Sequence, residues 1–378
     1  MKKHYLLTPG PTPIPPEVAL KEALPILHHR TSEFGSIFVD VSEGLKNVFR
    51  TKNDVFIMAA SGTGAMESSV VNILSPGEEA LVATCGNFGD RWVKLLETYG
   101  IKTQVISAEW GKAVNPEAIE SALRSNKNIK AVYTTFTETS TGVVNDIEKI
   151  GKIVAQTSAA LAVDTISGLC GQKFLTDDWN VDVNVSGSQK GLMLAPGLSF
   201  ASVSPKAWKL VESAKLPRFY WDYRKMKKSI ETKETPFTPA VTLIVSLQES
   251  LRMIKERGIE NVWADNSLLA RAARSGMKAL GLELFGEPPC EVVTSAKVPA
   301  NVDGGKIVKM LREDYGVSIA GGQGQLKGKI IRFAHMGYIG KADLLVGFAC
   351  LEMVLSKLGH KLEKGKAVAA AEEELLKA

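Results

Sequence analysis

The segment "VDVNVSGSQKGLMLAPGLSFASVS", residues 181–204, places Lys190 in a glycine- and serine-rich turn between two apolar runs. Both runs predict buried strands of a sheet. We expect a lysine between two such strands to be desolvated, and desolvation lowers the pKa of an amine from its usual ~10.4. A neutral lysine amine is a nucleophile for carbonyl groups. The segment therefore predicts a reactive amine at the end of a buried strand.

The chain around this segment alternates between strand-like and helix-like patterns. "KTQVIS" (102–107) and "AALAVDTISG" (159–168) predict strands, whereas "PEAIESALRS" (116–125) and "DIEKIGKIVAQTS" (146–158) have helical spacing. Apolar runs alternating with amphipathic helices are typical of an α/β fold built on a parallel sheet. The fold class predicted is α/β, with a doubly wound, mostly parallel sheet.

Composition limits the classes of function. The 378 residues include 45% hydrophobic residues, enough for a sizeable core, and the net charge of +5 is spread along the chain. No basic block predicts a nucleic-acid partner. The four cysteines lie far apart, which indicates reduced thiols and no metal site. No run approaches the ~20 apolar residues of a membrane span, so we expect a soluble, cytoplasmic protein with no membrane partner.

Several polar or aromatic residues follow the predicted strands, where open α/β sheets bind ligands. "SGTGAME" (61–67) combines glycines and hydroxyls before a helix and could hold an anion. Phe88 lies between small residues, "TSTG" (139–142) offers hydroxyls, and Asp164 ends an apolar strand. Each has a structural alternative: an ordinary turn, a core aromatic or a helix N-cap. Together with Lys190 they match the phosphate, ring, ring nitrogen and aldehyde of pyridoxal 5'-phosphate.

Strings along the chain resemble the class V aminotransferases, a family of pyridoxal phosphate enzymes. The resemblance is greatest to the alanine–glyoxylate and serine–pyruvate aminotransferase group and covers about residues 5–357. It implies the fold of fold type I pyridoxal phosphate enzymes. The strings that carry it are "LLTPGPTPIPP", "HHRTSEF", "SGTGAME", "ETSTG", "AVDTISG", "SGSQKGL" and "IIRFAHMG".

The resemblance implies roles for the cofactor-binding residues. Lys190 is expected to form the Schiff base and to move the α-proton, and Asp164 to pair with the pyridine nitrogen. The phosphate would be held by Thr63, Gly64 and Gln189. Thr139 would lie near the ring hydroxyl, Phe88 would stack on the ring, and Ala65 would offer only its backbone. Some relatives carry tryptophan and histidine where this chain has Phe88 and Ala65.

The resemblance also implies how substrate and partner subunit bind. Arg332 matches the arginine that grips the substrate α-carboxylate, and Gly10 lies where the N-terminal segment lines the substrate pocket. Thr235 and Thr238 match a segment that reaches the neighbouring subunit's phosphate, which implies a homodimer with shared active sites. The pattern of helices and strands also changes beyond about residue 265, which predicts a small α+β C-terminal domain. We therefore expect an N-terminal segment packing near the active site, a large cofactor-binding domain and that small α+β domain, at 1–20, 21–262 and 263–378. The prolines of the first segment (Pro9, Pro11, Pro13, Pro15 and Pro16) predict an extended chain without a helix.

The expected reaction is a ping-pong transfer of an amino group from a small amino acid, alanine or serine, to a 2-oxo acid, glyoxylate or pyruvate. One alternative is a dianionic substrate, phosphoserine or aspartate, read by Arg30 with His29 from the partner subunit. Those side chains could instead belong to a structural loop paired with carboxylates such as Glu33. A cysteine desulfurase is disfavoured because Gln189 precedes the lysine and "AGGQGQLKGK" lacks a cysteine. The alternative of another class is a non-catalytic subunit of a larger complex.

Overall fold

The computed structural model describes residues 3–377; Met1, Lys2 and Ala378, at the ends of the expected first and last domains, lie outside the described residues. Its centre is a seven-stranded sheet in the order β2-β10-β9-β8-β5-β3-β4. Only β10 runs antiparallel to its neighbours. The predicted α/β fold with a mostly parallel sheet is therefore confirmed. The strands are β2 (Val55–Ala59), β3 (Glu79–Thr84), β4 (Lys102–Ser107), β5 (Ile129–Thr135), β8 (Ala160–Asp164), β9 (Val183–Gly187) and β10 (Leu198–Val203).

Helices cover both faces of this sheet. In β3, Ala80 and Val82 join one core cluster, whereas Leu81 and Ala83 join another on the opposite face. A strand buried on both faces is apolar throughout, and this explains the continuous run "ALVA" in the sequence. The covering helices are α2 (Ser32–Phe49), α3 (Gly62–Ile73), α4 (Gly89–Thr98), α5 (Pro116–Ser125), α6 (Ile147–Val154), α7 (Pro205–Ser213), α8 (Tyr223–Glu231) and α9 (Val241–Arg257).

The C-terminal part is an α+β unit with its own core. Its antiparallel sheet has the order β11-β14-β13, and its core includes Phe333 and Phe348, whose rings stack with centroids 5.1 Å apart. The expected boundary at residue 262 falls inside α10. The elements are α10 (Ile259–Ala279), β11 (Val293–Lys297), α11 (Gly304–Tyr315), β12 (Val317–Ser318), β13 (Ala320–Gly321), a 3₁₀ turn (Gly324–Leu326), β14 (Ile330–Ala334), α12 (Lys341–Lys357) and α13 (Lys366–Leu375).

The N-terminal segment links the two units. Strand β1 (Tyr5–Leu6) pairs in parallel with β12, and a few residues later Thr12 N donates to Gln189 O at 3.1 Å. The prediction that residues 1–20 contain no helix was wrong, because α1 spans Pro16–Glu22. Pro16 is its first residue, a position where the missing N–H has no intrahelical acceptor and the fixed φ suits a helix.

The remaining strands are β6 (Thr137–Glu138) and β7 (Val143–Val144), which form a short antiparallel pair after β5. Among residues 3–377, no helix combines the length and the apolar composition that crossing a membrane requires. The parallel sheet, with the carboxyl ends of β5, β8 and β9 side by side, sets the position of the candidate site.

Candidate active site

Lys190 lies in the connection between β9 and β10 and is buried. The connection is fixed by Ser188, whose hydroxyl donates to Ala195 O at 2.7 Å and accepts from Leu198 N at 3.2 Å. Burial lowers the pKa of Lys190 to about 8, with the Asp164 charge acting in the opposite direction. With this pKa about a tenth of the amine is neutral, and nucleophilic, at pH 7.

The N-terminal segment closes over the lysine. Lys190 Nζ donates to Pro9 O, and Thr12 Oγ1 donates to Lys190 O at 2.9 Å. Gly10, between them, has φ +136°, and a Cβ at this position would lie 2.2 Å from Lys190 Nζ. The chain can pass the lysine at this distance only because residue 10 has no side chain.

Asp164 is the last residue of β8 and is also buried. Its carboxylate accepts from Ile166 N at 2.8 Å. Burial raises the pKa of Asp164 to about 7, while that hydrogen bond and the charges of Arg91 and Lys190 lower it. A cationic N–H group facing this carboxylate would favour its ionised form.

Both residues line a cavity of about 270 Å³, close to the lower end of the size range of small-ligand sites. At one side of the cavity α3 begins without a side-chain cap, so the N–H groups of Gly62 and Thr63 are available to an anion, whereas Gly64 N donates to Ser61 O at 2.8 Å. The buried amide oxygen of Gln189 has no hydrogen-bond partner in the described chain. The residues around the cavity are Gly10, Pro11, Ser61, Gly62, Thr63, Phe88, Arg91, Thr137, Thr139, Asp164, Ile166, Ser167, Gln189, Lys190 and Pro196.

Two residues of the predicted phosphate cradle lie deeper in α3. Gly64 packs so closely that a Cβ would lie 2.7 Å from Ala60 Cβ, and Ala65 belongs to the core beneath the sheet. Ser61, Gly62 and Thr63 are the residues of this string that line the cavity. Thr139 also lines the cavity, and its hydroxyl donates to the Ser167 hydroxyl.

Phe88 is held in place by Glu138, a residue to which the sequence analysis gave no role. The Glu138 carboxylate accepts from Phe88 N at 3.0 Å, Gly89 N at 2.9 Å and Ser140 N at 3.1 Å, and also from the Ser140 hydroxyl. Burial raises the pKa of Glu138 and these hydrogen bonds lower it. Its place in "ETSTG", at the end of a buried strand, is the signal that could have identified it.

Arg332, in the middle of β14, is buried. Its Nε and Nη2 donate to Gly321 O at 2.9 and 2.7 Å, and its Nη1 donates to Thr139 O at 2.9 Å. Since a guanidinium carries five N–H groups, two remain for a carboxylate. Burial lowers the pKa of Arg332 to about 10, opposed by the charge of Glu138.

The residues expected to act on the partner subunit lie away from the Lys190 cavity of their own chain. Thr235 and Thr238 line a separate cavity of about 20 Å³. Arg30 is exposed and donates to Glu234 Oε2 at 2.7 Å and to Thr235 O at 3.0 Å. Its carboxylate partner is thus Glu234, and the suggested pairing with Glu33 is not seen. His29 stacks on His28 with ring centroids 5.2 Å apart.

Arg91 is a second residue that the sequence analysis missed. It lies one turn after Phe88 on α4 and is half-buried. Its Nη1 donates to Thr63 Oγ1 at 2.9 Å, and its guanidinium lies 4.9 Å from the centroid of the Phe88 ring. The string "FGDRW", with a cation three residues after the expected stacking aromatic, was the available signal.

A sequence model of the family described as "Aminotransferase class-V" matches residues 4–333. The chain belongs to the class-V aminotransferase family. This class-V aminotransferase is 41% identical to the protein named "Soluble hydrogenase, small subunit" of a Synechococcus species, over 98% of this chain and 97% of that one. It is 37% identical to the L-aspartate–glyoxylate aminotransferase of Paracoccus denitrificans, over 98% and 96%.

A solved structure of the ureidoglycine–glyoxylate aminotransferase of Bacillus subtilis has a TM-score of 0.95 with this chain. It is 28% identical and covers 99% of this chain and 98% of its own. The predicted family is therefore confirmed, and this class-V aminotransferase is a transaminase with the fold of fold type I pyridoxal phosphate enzymes.

Proposed function

We propose that this class-V aminotransferase binds pyridoxal 5'-phosphate and moves an amino group from a small amino acid, alanine or serine, to glyoxylate or pyruvate. The observation that carries the proposal is the meeting of buried Lys190 and buried Asp164 in one cavity beside the uncapped start of α3. When bound, the cofactor supplies an aldehyde that condenses with amines and a ring that accepts the electrons left at the substrate Cα.

Each end of the cofactor has a candidate partner in the cavity. Thr63, Gly64 and Ala65 would hold the phosphate through the start of α3, and Gln189 through its amide N–H₂. Phe88, fixed by Glu138, would lie against the ring. Asp164 would face the ring nitrogen. Thr139 would lie near the ring hydroxyl.

The protein's own groups then have distinct tasks. Lys190, whose pKa is about 8, would take the proton from the substrate Cα and pass it to the aldehyde carbon of the cofactor, which is general acid–base catalysis. Arg332 would bind the α-carboxylate with its two remaining N–H groups, since its planar fork suits bidentate recognition. Gly10 leaves room beside the lysine, and the small cavity favours a short substrate side chain.

We further propose a homodimer with shared active sites. Thr235 and Thr238 lie outside the Lys190 cavity of their own chain, and Thr238 is exposed. Nearby, Phe219 is 71% exposed, and Phe237 stacks on Tyr220 with centroids 5.0 Å apart. An exposed aromatic group of this kind is typical of an interface. Sedimentation of active protein as a monomer would contradict the shared site.

We also propose a cytoplasmic location. All four cysteines are unpaired, as is usual for proteins of this reducing compartment.

A dianionic donor is a second candidate, because one relative is named an L-aspartate–glyoxylate aminotransferase. Arg30, together with His29, would bind the second anion from the partner subunit. Within one chain Arg30 pairs with Glu234, a contact that supports the structural role. If Arg30 reads substrate, Arg30→Ala raises the KM for aspartate far more than the KM for alanine; equal effects on both donors would leave Arg30 structural.

A non-catalytic subunit is the candidate of another class, because one relative is named a hydrogenase subunit. The complete set of Lys190, Asp164 and Arg332 favours catalysis by this chain. The deciding experiment combines a donor-by-acceptor activity matrix with borohydride reduction and peptide mapping. We expect the cofactor to be trapped on Lys190, and Lys190→Ala to lose both the trapped product and nearly all turnover. Purified protein that takes up no pyridoxal phosphate and has no turnover would overturn the proposal.

A further inference from the structure

Arg91 lines the Lys190 cavity but has no role in the function proposed above. Its guanidinium is held between the Thr63 hydroxyl, at 2.9 Å, and the Phe88 ring, at 4.9 Å. Both neighbours belong to the candidate cofactor site. Among residues 3–377, no carboxylate forms an ion pair with Arg91. Asp90, next to it on α4, accepts instead from the Thr84 hydroxyl at 2.7 Å.

The charges around the cavity leave room for an anion. Arg91, Lys190 and Arg332 carry positive charge, and the nearby carboxylates are Asp164 and Glu138. Glu138 is already satisfied by backbone N–H groups and a hydroxyl. A half-buried cation without a charged partner is unfavourable. An anionic ligand beside Arg91 would remove that cost.

The hydrogen bond between Arg91 and Thr63 indicates which anion. Thr63 is the second residue of α3, whose first N–H groups are uncapped and face a site suited to phosphate. Because the Thr63 hydroxyl accepts from Arg91, its own hydrogen is free to donate into the cavity. Arg91 also retains N–H groups that can donate to the same anion. The Arg91 guanidinium, the Thr63 hydroxyl and the start of α3 therefore offer hydrogen-bond donors to the same anion.

We propose that Arg91 is a cofactor-binding residue that gives the phosphate of pyridoxal phosphate a charged hydrogen-bond donor and orients the Thr63 hydroxyl toward it. The inference rests on the proposed function, since it assumes that this cavity holds the cofactor. It adds the cation that the α3 cradle otherwise lacks. Charge-assisted hydrogen bonds to phosphate are about twice as strong as neutral ones, so the contribution to cofactor affinity is measurable.

The test compares two ligands that differ only in the phosphate. Cofactor-free protein is titrated with pyridoxal phosphate and with pyridoxal, following visible absorbance, for wild type, Arg91→Gln and Arg91→Lys. We expect Arg91→Gln to weaken binding of pyridoxal phosphate by about 10–100-fold, the range for one lost charged contact, and to leave pyridoxal affinity almost unchanged. Arg91→Lys should recover part of the loss. Lys94→Gln removes one charge from an exposed position of the same helix and is the matched control.

A second readout needs neither the aldehyde nor turnover. Inorganic phosphate should raise the unfolding temperature of cofactor-free wild type, and much less that of Arg91→Gln. Equal losses of pyridoxal phosphate and pyridoxal affinity would show that Arg91 acts only by supporting Phe88, and would overturn the phosphate role. Wild-type affinity of Arg91→Gln for pyridoxal phosphate would overturn it too, while leaving the proposed function intact. A wild type that binds no pyridoxal phosphate would overturn both.

Discussion

Replacing Gly10 by alanine tests the close approach of the N-terminal segment to Lys190. The new Cβ would lie 2.2 Å from Lys190 Nζ, 2.3 Å from Cε and 2.7 Å from Cδ, all shorter than a van der Waals contact. These atoms form the end of a flexible side chain, so we expect the lysine to move. The backbone contribution is separate: a non-glycine residue at φ +136° costs about 1–3 kcal/mol.

The backbone strain should appear in the free energy of unfolding, and the displacement of Lys190 should appear in its reaction with the cofactor. Gly10→Ala should lower the free energy of unfolding by the backbone strain, about 1–3 kcal/mol, plus the cost of displacing the lysine, and should strongly reduce the fraction of Lys190 that borohydride traps with the cofactor. Gly100→Ala is the control, because Gly100 also has positive φ (+68°) but has no atom within 4 Å of the position of a Cβ. It should lose stability without losing cofactor.

A double-mutant cycle isolates the contact itself. Denaturant unfolding is measured for wild type, Gly10→Ala, Lys190→Ala and the double variant. If the Cβ displaces the lysine, Gly10→Ala destabilises the protein less in the Lys190→Ala background, because only backbone strain remains. Equal destabilisation in both backgrounds, together with normal trapping of the cofactor on Lys190, would refute the reasoning.

Two further predictions concern Lys190 and Glu138. Since the pKa of Lys190 is lowered to about 8, the rate at which cofactor-free protein reacts with pyridoxal phosphate should rise with pH and level off above that value. The rate is measured by stopped-flow absorbance. A rate that keeps increasing up to pH ~10.4, the pKa of a solvated lysine, would contradict burial of the amine. Glu138→Gln places an amide N–H₂ against the donors of Phe88, Gly89 or Ser140, and should cost about 1–3 kcal/mol in denaturant unfolding and weaken cofactor binding. The control Glu120→Gln removes only a surface pair with Arg124, and an equal loss there would exclude a special role for Glu138.

Patterns within short segments predicted the fold well. The expected strand at 102–107 and the expected helix at 116–125 have the same bounds as β4 and α5, because strand and helix periodicity are local properties of the chain. The helix α1 was missed because all the prolines of the N-terminal segment were treated as helix breakers, although Pro16 is the first residue of α1. The antiparallel direction of β10 depends on a connection that folds back on itself, and apolar composition does not reveal it.

The candidate site was predictable only where one residue type has a recognisable chemical role. Asp164 ends a buried strand and Lys190 closely follows one, so their burial could be inferred from the strands themselves. The role of Glu138 depends on backbone N–H groups of Phe88, 50 residues away in the chain, which a side-chain pattern does not identify. Arg91 likewise depends on the Thr63 hydroxyl, on another helix. Polar contacts between separate elements require the folded chain.

The N-terminal segment couples the lysine to the arginine of the C-terminal unit. Its strand β1 pairs with β12, which ends two residues before β13 begins. The same N-terminal segment carries Pro9, whose carbonyl oxygen accepts from Lys190 Nζ. Arg332 is held from the other side, by Gly321 O in β13 and by Thr139 O beside the cavity. A shift of the C-terminal unit would therefore alter the surroundings of both Arg332 and Lys190. The positions of the Arg332 guanidinium and the Lys190 amine therefore depend on each other through the N-terminal segment and β13.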